Sequence, residues 1–312
     1  DCEKDENIYK FYNGKVILMS DIEYFSKNST RGGNDVSNKK REFIITDIIN
    51  DNIPLEYYNK DYRWFNIANE LWKFLEENKP FDYTNIKCKL IAGRKNNDFN
   101  ITYENSQTKQ SMKIKKEFKY NASQINDCPQ WVSPMHPSRF MTKNFEEYHY
   151  DNHFEDICNI FDLEKPNRDD FVNQIHYEEP ECVKALQAAY YKGAKGSSRC
   201  TNLQDDIDKC VKCKEISKKS ITEFLNQTDL NVDKLNDYLL NSQKDKHYML
   251  FDTITQSFKH EKPDKKDYTI KSDSIKKTKN SFIGETESGK KISILLRWKN
   301  GNGIAFPAFQ IK

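Results

Sequence analysis

The segment EFKYNASQINDCPQW, Glu117–Trp131, begins with a carboxylate and an ammonium two residues apart, Glu117 and Lys119. They close the alternating stretch MKIKKEFKY, and in a strand such residues share a face. The pair is either a surface ion pair or half of a metal-dependent hydrolytic site. The other half would be a carboxylate on a neighbouring strand. Asp98 meets that need. It opens DFNITY, where Phe99, Ile101 and Tyr103 face one way and Asp98, Asn100 and Thr102 the other. With the two polar faces together, Asp98, Glu117 and Lys119 converge. Two carboxylates suit a hard, oxygen-preferring cation such as Mg²⁺, which keeps waters for substrate and nucleophile. Such an ion lowers the pKa of a bound water and stabilises charge on a scissile phosphate. A nearby lysine can position or deprotonate that water, or stabilise developing negative charge.

Positioning these residues requires a sheet. DYRWFNIANELWKFLEEN, residues 61–78, carries Trp64, Ile67, Ala68, Leu71 and Leu75 at helical spacing, and Pro80 ends it. TNIKCKLIAGR reads as a strand with an exit at Gly93. MKIKKEFKY places Met112, Ile114 and Phe118 on one face, with Lys116 breaking the pattern, and Lys113, Lys115, Glu117 and Lys119 on the other. The order helix, strand, strand, loop, strand suits short antiparallel connections. Before it lie short apolar runs (KVILM, EFIITDII) and a polar loop, KNSTRGGNDVSNKKRE, marked by Gly32-Gly33. Residues from about 168 to 240 read as mostly helical. Residues 259–279, with eight lysines, read as a charged linker, and 281–312 as a hairpin turning at Ser288-Gly289 and Gly301-Asn302-Gly303.

The pattern of Asp98 followed by Glu117-Phe118-Lys119 resembles the PD-(D/E)xK nuclease superfamily, over roughly residues 60–150. The proline of the family's first motif is absent, since Asn97 precedes Asp98. The resemblance implies a restriction-endonuclease-like α/β (α+β) fold, a mixed sheet flanked by helices. It implies that Asp98, Glu117 and the Phe118 carbonyl bind Mg²⁺, with Mn²⁺ as a substitute, and that Lys119 handles the nucleophilic water. It also implies an acidic residue from the helix before the first core strand. Glu70, on the flank of the apolar stripe, suits this better than Glu77 opposite it. A glutamine after the lysine is a further family feature, for which Gln124 and Gln130 are the candidates, Gln130 preferred. Products would carry 5′-phosphate and 3′-hydroxyl ends. Read without the family, Glu117 and Lys119 equally fit a solvated strand face with a cross-strand ion pair.

Other signals are weaker. Cys210-Val211-Lys212-Cys213 has the spacing of a zinc half-site, with Cys182 and Cys200 upstream, but its surroundings read as continuous helix, which favours buried thiols over structural Zn²⁺. His149 and His153 stand four apart around Asp151, a spacing that chelates on a helix, but they read better as part of an aromatic surface. Lys39, Lys40 and Arg41, the lysine-rich residues 259–279, and the expected hairpin tip Arg297, Trp298, Lys299 and Asn300 are candidate DNA contacts; the alternatives are a solvated linker and a core tryptophan.

Composition bounds the reading. The chain of 312 residues holds one large or two ordinary domains. A net charge of +2, from 50 basic and 48 acidic residues, confines any nucleic-acid surface to a local patch. Mean hydropathy is −0.93, aromatic content is 13%, and no apolar run approaches ~18 residues, so a core is expected and a transmembrane helix is not. Eight sparse, irregular cysteines suggest a reducing, intracellular compartment. Expected boundaries are 1–165 for a nuclease core with an N-terminal extension, 166–260 for a helical segment, and 261–312 for a basic linker and hairpin packed on the core. The expected function is a Mg²⁺-dependent, sequence-specific DNA endonuclease acting on double-stranded DNA, with a homodimer left open and no membrane partner. The alternatives are a non-catalytic nucleic-acid-binding or assembly module and a secreted, disulfide-bonded adhesion domain.

Overall fold

A computed structural model describes residues 8–12, 15–26, 34–91, 97–125, 130–131, 136–177 and 179–312. Gly32-Gly33, Gly93, Cys2, Cys128 and the side chain of Gln130 lie outside the described residues. The chain runs β1 (Ile8–Tyr12), β2 (Lys15–Leu18), α1 (Asn34–Ile49), α2 (Leu55–Lys60), α3 (Tyr62–Glu77), β3 (Asn85–Leu90), β4 (Phe99–Asn105), β5 (Gln110–Tyr120) and β6 (Gln130–Trp131). Next come α4 (Phe145–Asn152), α5 (Phe154–Ile160), α6 (Arg168–Gln174), α7 (Lys184–Gly193), α8 (Gln204–Leu225) and α9 (Val232–Gln243). It ends with β7 (Lys246–Asp252), β8 (Ser257–Glu261), α10 (Lys265–Tyr268), β9 (Lys276–Lys277), β10 (Ser281–Glu285), β11 (Lys291–Trp298) and β12 (Pro307–Ile311). The class is mixed α+β, as expected. Among the described residues no helix is long and apolar enough to cross a membrane.

Two compact units form: Asp1–Cys128 with Lys244–Pro263, and Pro129–Gln243 with Asp264–Lys312. The division thus falls near residue 128, not 165. Residues 244–263 return to the first unit because β7 hydrogen-bonds to β5 in parallel, with Glu117 opposite Tyr248.

The first unit holds a mixed sheet of order β3-β4-β5-β7-β8. Its first three strands form the antiparallel meander that the alternation predicts. Asp61 caps α3 by accepting from the Arg63 backbone N–H at 3.0 Å. The apolar stripe of α3 (Trp64, Ile67, Leu71, Leu75) is buried in one core with Phe99, Ile101, Tyr103, Ile114 and Phe118 from the sheet. Lys116 also points into this core. It is 1% exposed, with Nζ 5.2 Å from the centre of the Phe74 ring. It stands beside His247 and His260, whose rings hydrogen-bond at 2.9 Å. Burial pushes the Lys116 ammonium down to about 8. With its charged form penalised at ~1.4 kcal/mol per pKa unit, Lys116→Met is expected to stabilise the unit by ~1–3 kcal/mol at neutral pH. A thermal melt checks this; a lower midpoint would contradict it.

The second unit holds an antiparallel sheet of order β6-β12-β11-β10-β9 beside α4–α9. The lysine-rich 259–279 stretch carries the passage from the first unit to the second at Pro263–Asp264, but it is structured, containing the end of β8, α10 and β9. The C-terminal stretch is a three-strand meander, β10-β11-β12, not a single hairpin.

Candidate active site on the first sheet

β4 and β5 pair with Asn100 opposite Lys115 and Phe99 opposite Lys116, and the pairing continues through the Asp98 N–H, which donates to the Lys116 carbonyl at 2.9 Å. This register carries the Asp98 side chain to the next residues of β5. Its Oδ2 accepts from the Phe118 N–H at 2.8 Å. Lys119 donates to Glu117 Oε1 at 2.7 Å, as the two-residue spacing predicts. The structure therefore brings Asp98, Glu117, Phe118 and Lys119 together.

Two further members of the cluster lie outside the Asp98 and Glu117-x-Lys119 motif. Lys246, at the start of β7, reaches Glu117 Oε2 at 3.1 Å, so both carboxylate oxygens meet an ammonium. The other is Glu42 of α1, whose carboxyl is near enough to interact electrostatically with Asp98 and Glu117. It takes the place expected of Glu70, which lies half-buried on α3 and makes no hydrogen bond or ion pair among the described residues.

α1 is fixed to the sheet just past its C-terminal end and at its middle. The Asn50 side chain bonds the Cys88 carbonyl at 2.9 Å and accepts from the Cys88 N–H at 2.8 Å. Arg41 is fully buried, with its guanidinium 3.3 Å above the Tyr120 ring and its Nε donating to the Tyr24 carbonyl at 2.8 Å. Arg41 is thus no DNA contact: it anchors the turn that presents Glu42. Lys40 pairs with Asp21 at 2.8 Å, which leaves Lys39 as the exposed member of the basic run.

Electrostatics follow from crowding three carboxylates. Burial, then the Glu117 charge, pushes Asp98 up to about 7, against the opposing Phe118 N–H and the two lysines. Burial, then Asp98 and Glu117, pushes Glu42 up to about 8. Burial disfavours ionised Glu117, but Lys119 and Lys246 outweigh it and hold that carboxyl below the usual range. The cluster is one carboxylate clamped by two lysines, beside two carboxyls whose ionisation burial and crowding disfavour. The donors are hard oxygens from three elements, the type a divalent cation takes. As they stand, however, no three His, Cys, Asp or Glu among the described residues form a group able to hold an ion. Binding one requires Glu117 to release an oxygen from a lysine.

The other expected contacts are placed elsewhere. The Gln130 backbone pairs with Ile311 in the second unit. Trp298 is 3% exposed and packs on His149 and Phe145, so it reads no DNA. Arg297 donates across the strand to Gln310 at 2.9 Å, and the Asn300 carbonyl accepts from Gln187 at 2.9 Å. Lys299 stays exposed, 5.3 Å from the Phe306 ring centre. Cys210 and Cys213 are buried on α8, the Cys213 thiol donates to the Asn302 carbonyl at 2.9 Å, and the four candidate zinc cysteines form no metal group. The six described cysteines are unbridged. His149 is no chelator: it is buried between the Ser220 hydroxyl (2.7 Å) and the Gly303 carbonyl (2.8 Å).

Compared with known proteins, the chain matches no family model and no curated sequence, so the site is read from its geometry.

Proposed function

We propose that the protein is a Mg²⁺-dependent nuclease of the PD-(D/E)xK type that hydrolyses phosphodiester bonds in double-stranded DNA, as a sequence-specific endonuclease leaving 5′-phosphate ends. One observation supports this most strongly: Asp98 and the Glu117-x-Lys119 pair meet from adjacent antiparallel strands, with Glu42 arriving from a helix. Asp98, Glu117 and the Phe118 carbonyl would hold the ion, with Glu42 completing the set. The bound ion supplies an acidified water and charge stabilisation on the phosphate. Lys119, tied to Glu117, orients or deprotonates the attacking water and offsets charge on the phosphate. Lys246 keeps Glu117 ionised in the absence of metal. Mn²⁺, with the same preference for oxygen ligands, would substitute.

The test is incubation of the purified protein with supercoiled plasmid in Mg²⁺, in Mn²⁺ and in EDTA. Nicked and linear products in metal alone, with phosphorylated 5′ ends, are the expected result. The double clamp on Glu117 favours a second reading, a non-catalytic DNA-binding module whose sheet carries an ion-pair network. Tight binding with no cleavage in either metal would select it.

A further inference from the structure

The face of the meander that carries Glu117 and Lys119 continues away from the site as a grid of lysines. Register fixes the grid. Lys89, Asn100 and Lys115 stand side by side across β3, β4 and β5, and Lys87, Thr102 and Lys113 form the next row. Alternation puts all six on one face, in line with Glu117. The lysines are exposed, and among the described residues none of the four forms an ion pair. That sets them apart from Lys40, Lys119 and Lys246, each of which has a carboxylate partner. The rows border an open groove of about 680 Å³ that reaches Asn50 and Asn52. The one carboxylate on the following row, Glu104, is bonded to the Asn85 amide at 2.9 Å.

We propose that this face is the track that holds the phosphate backbone of duplex DNA leading to the Asp98–Glu117–Lys119 cluster, an inference that rests on the nuclease reading. Strand geometry sets the rows ~7 Å apart along the chain and the β3 and β5 lysines ~10 Å apart across it. The row spacing is about twice the ~3.4 Å per-strand charge interval of duplex DNA. Glu117 is one further step of ~7 Å beyond Lys115, so phosphates on the two rows direct a later phosphate of the same backbone to the site. Asn100 and Thr102, between the lysines, add uncharged donors of the kind that bond phosphate oxygens. Unpaired lysines on an exposed face supply affinity without sequence readout, because phosphate contacts position the duplex while base contacts specify it.

The test is binding of a short fluorescent duplex by anisotropy in EDTA over a series of salt concentrations, for the parent and for Lys87→Gln/Lys113→Gln. Both lysines are solvent-exposed and remote from the carboxylates, and equal melting midpoints confirm that the fold is kept. The variant is expected to bind more weakly at every sequence. The slope of log affinity against log salt should fall by about 2, ~1 for each phosphate that no longer meets an ammonium. Unchanged affinity and slope, with a parent that binds and cleaves, would overturn the track and leave the nuclease reading standing. A parent that neither binds the duplex at low salt nor cleaves plasmid would overturn both.

Discussion

Lys119→Met is expected to slow plasmid cleavage by ~10²–10⁴-fold in Mg²⁺, the usual contribution of a positioned proton-transfer or charge-stabilising group. The fold should survive. Glu117 keeps its second partner, Lys246, so no buried carboxylate is left uncompensated, and Lys119 itself lies at the edge of the site with its side chain 19% exposed. Duplex affinity in EDTA should fall only slightly, since one ammonium among many is removed. A steady-state rate within tenfold of the parent would contradict a role for Lys119 at the reacting phosphate. Glu117→Gln is a less clean change: it strips Lys246 of its carboxylate in a buried setting and should lower the melting temperature as well as the rate.

The second large effect is on stability. Asp98→Asn should abolish cleavage yet raise the melting temperature of the metal-free protein at pH 8. An asparagine oxygen still accepts from the Phe118 N–H, while the charge that Glu117 and Glu42 repel is gone. The pH dependence gives the sign. Asp98 titrates at about 7 in the folded chain and near 3.9 when unfolded, so the folded state holds more protons between those values. Its contribution to stability is full below pH ~4 and is lost as pH rises through 7; Glu42 continues the loss to about 8. The variant's advantage should therefore be small near pH 4.5 and grow to the order of 2–4 kcal/mol by pH 8. Comparing parent with variant matters, because burial pushes the His247 and His260 rings down to about 4, and they destabilise the fold on acidification below ~6.5. That opposite trend is common to both proteins and cancels in the difference. A variant less stable than the parent at pH 8 would contradict the electrostatic account of the cluster.

The residues that proved legible from sequence are those whose partners are local. Alternation in 97–104 and 112–120 specified two antiparallel strands and the shared face of Asp98, Glu117 and Lys119, because strand periodicity and a short connection leave few registers. The stripe in α3 specified a helix packed on that sheet. Glu42 is not legible from local pattern because α1 lacks a stripe. Its first half is polar (NDVSNKKRE) and its second half apolar (FIITDII), so the two halves read as a polar loop followed by a short apolar run. One signal was present: Glu42 lies in an unbroken 16-residue segment free of Gly and Pro, which ends before Pro54. Lys246 is not legible because β7 joins β5 in parallel after the whole helical part of the second unit, a connection no local pattern encodes. Trp298 and Arg41 suit DNA contacts by type, but large planar side chains are equally suited to a core: Arg41 is buried with its guanidinium hydrogen-bonded and stacked, and Trp298 is buried among aromatic rings.

The central claim is that the cluster holds a divalent cation, and Mn²⁺ titration followed by electron paramagnetic resonance at pH 8 tests it most directly. The parent should show saturable Mn²⁺ binding that releases protons, since Asp98 and Glu42 must ionise to join it. Asp98→Asn and Glu117→Gln should each abolish that binding. A parent with no saturable site, or variants that bind Mn²⁺ as tightly as the parent, would show that the three carboxylates and their lysines are an ion-pair network and not a metal centre.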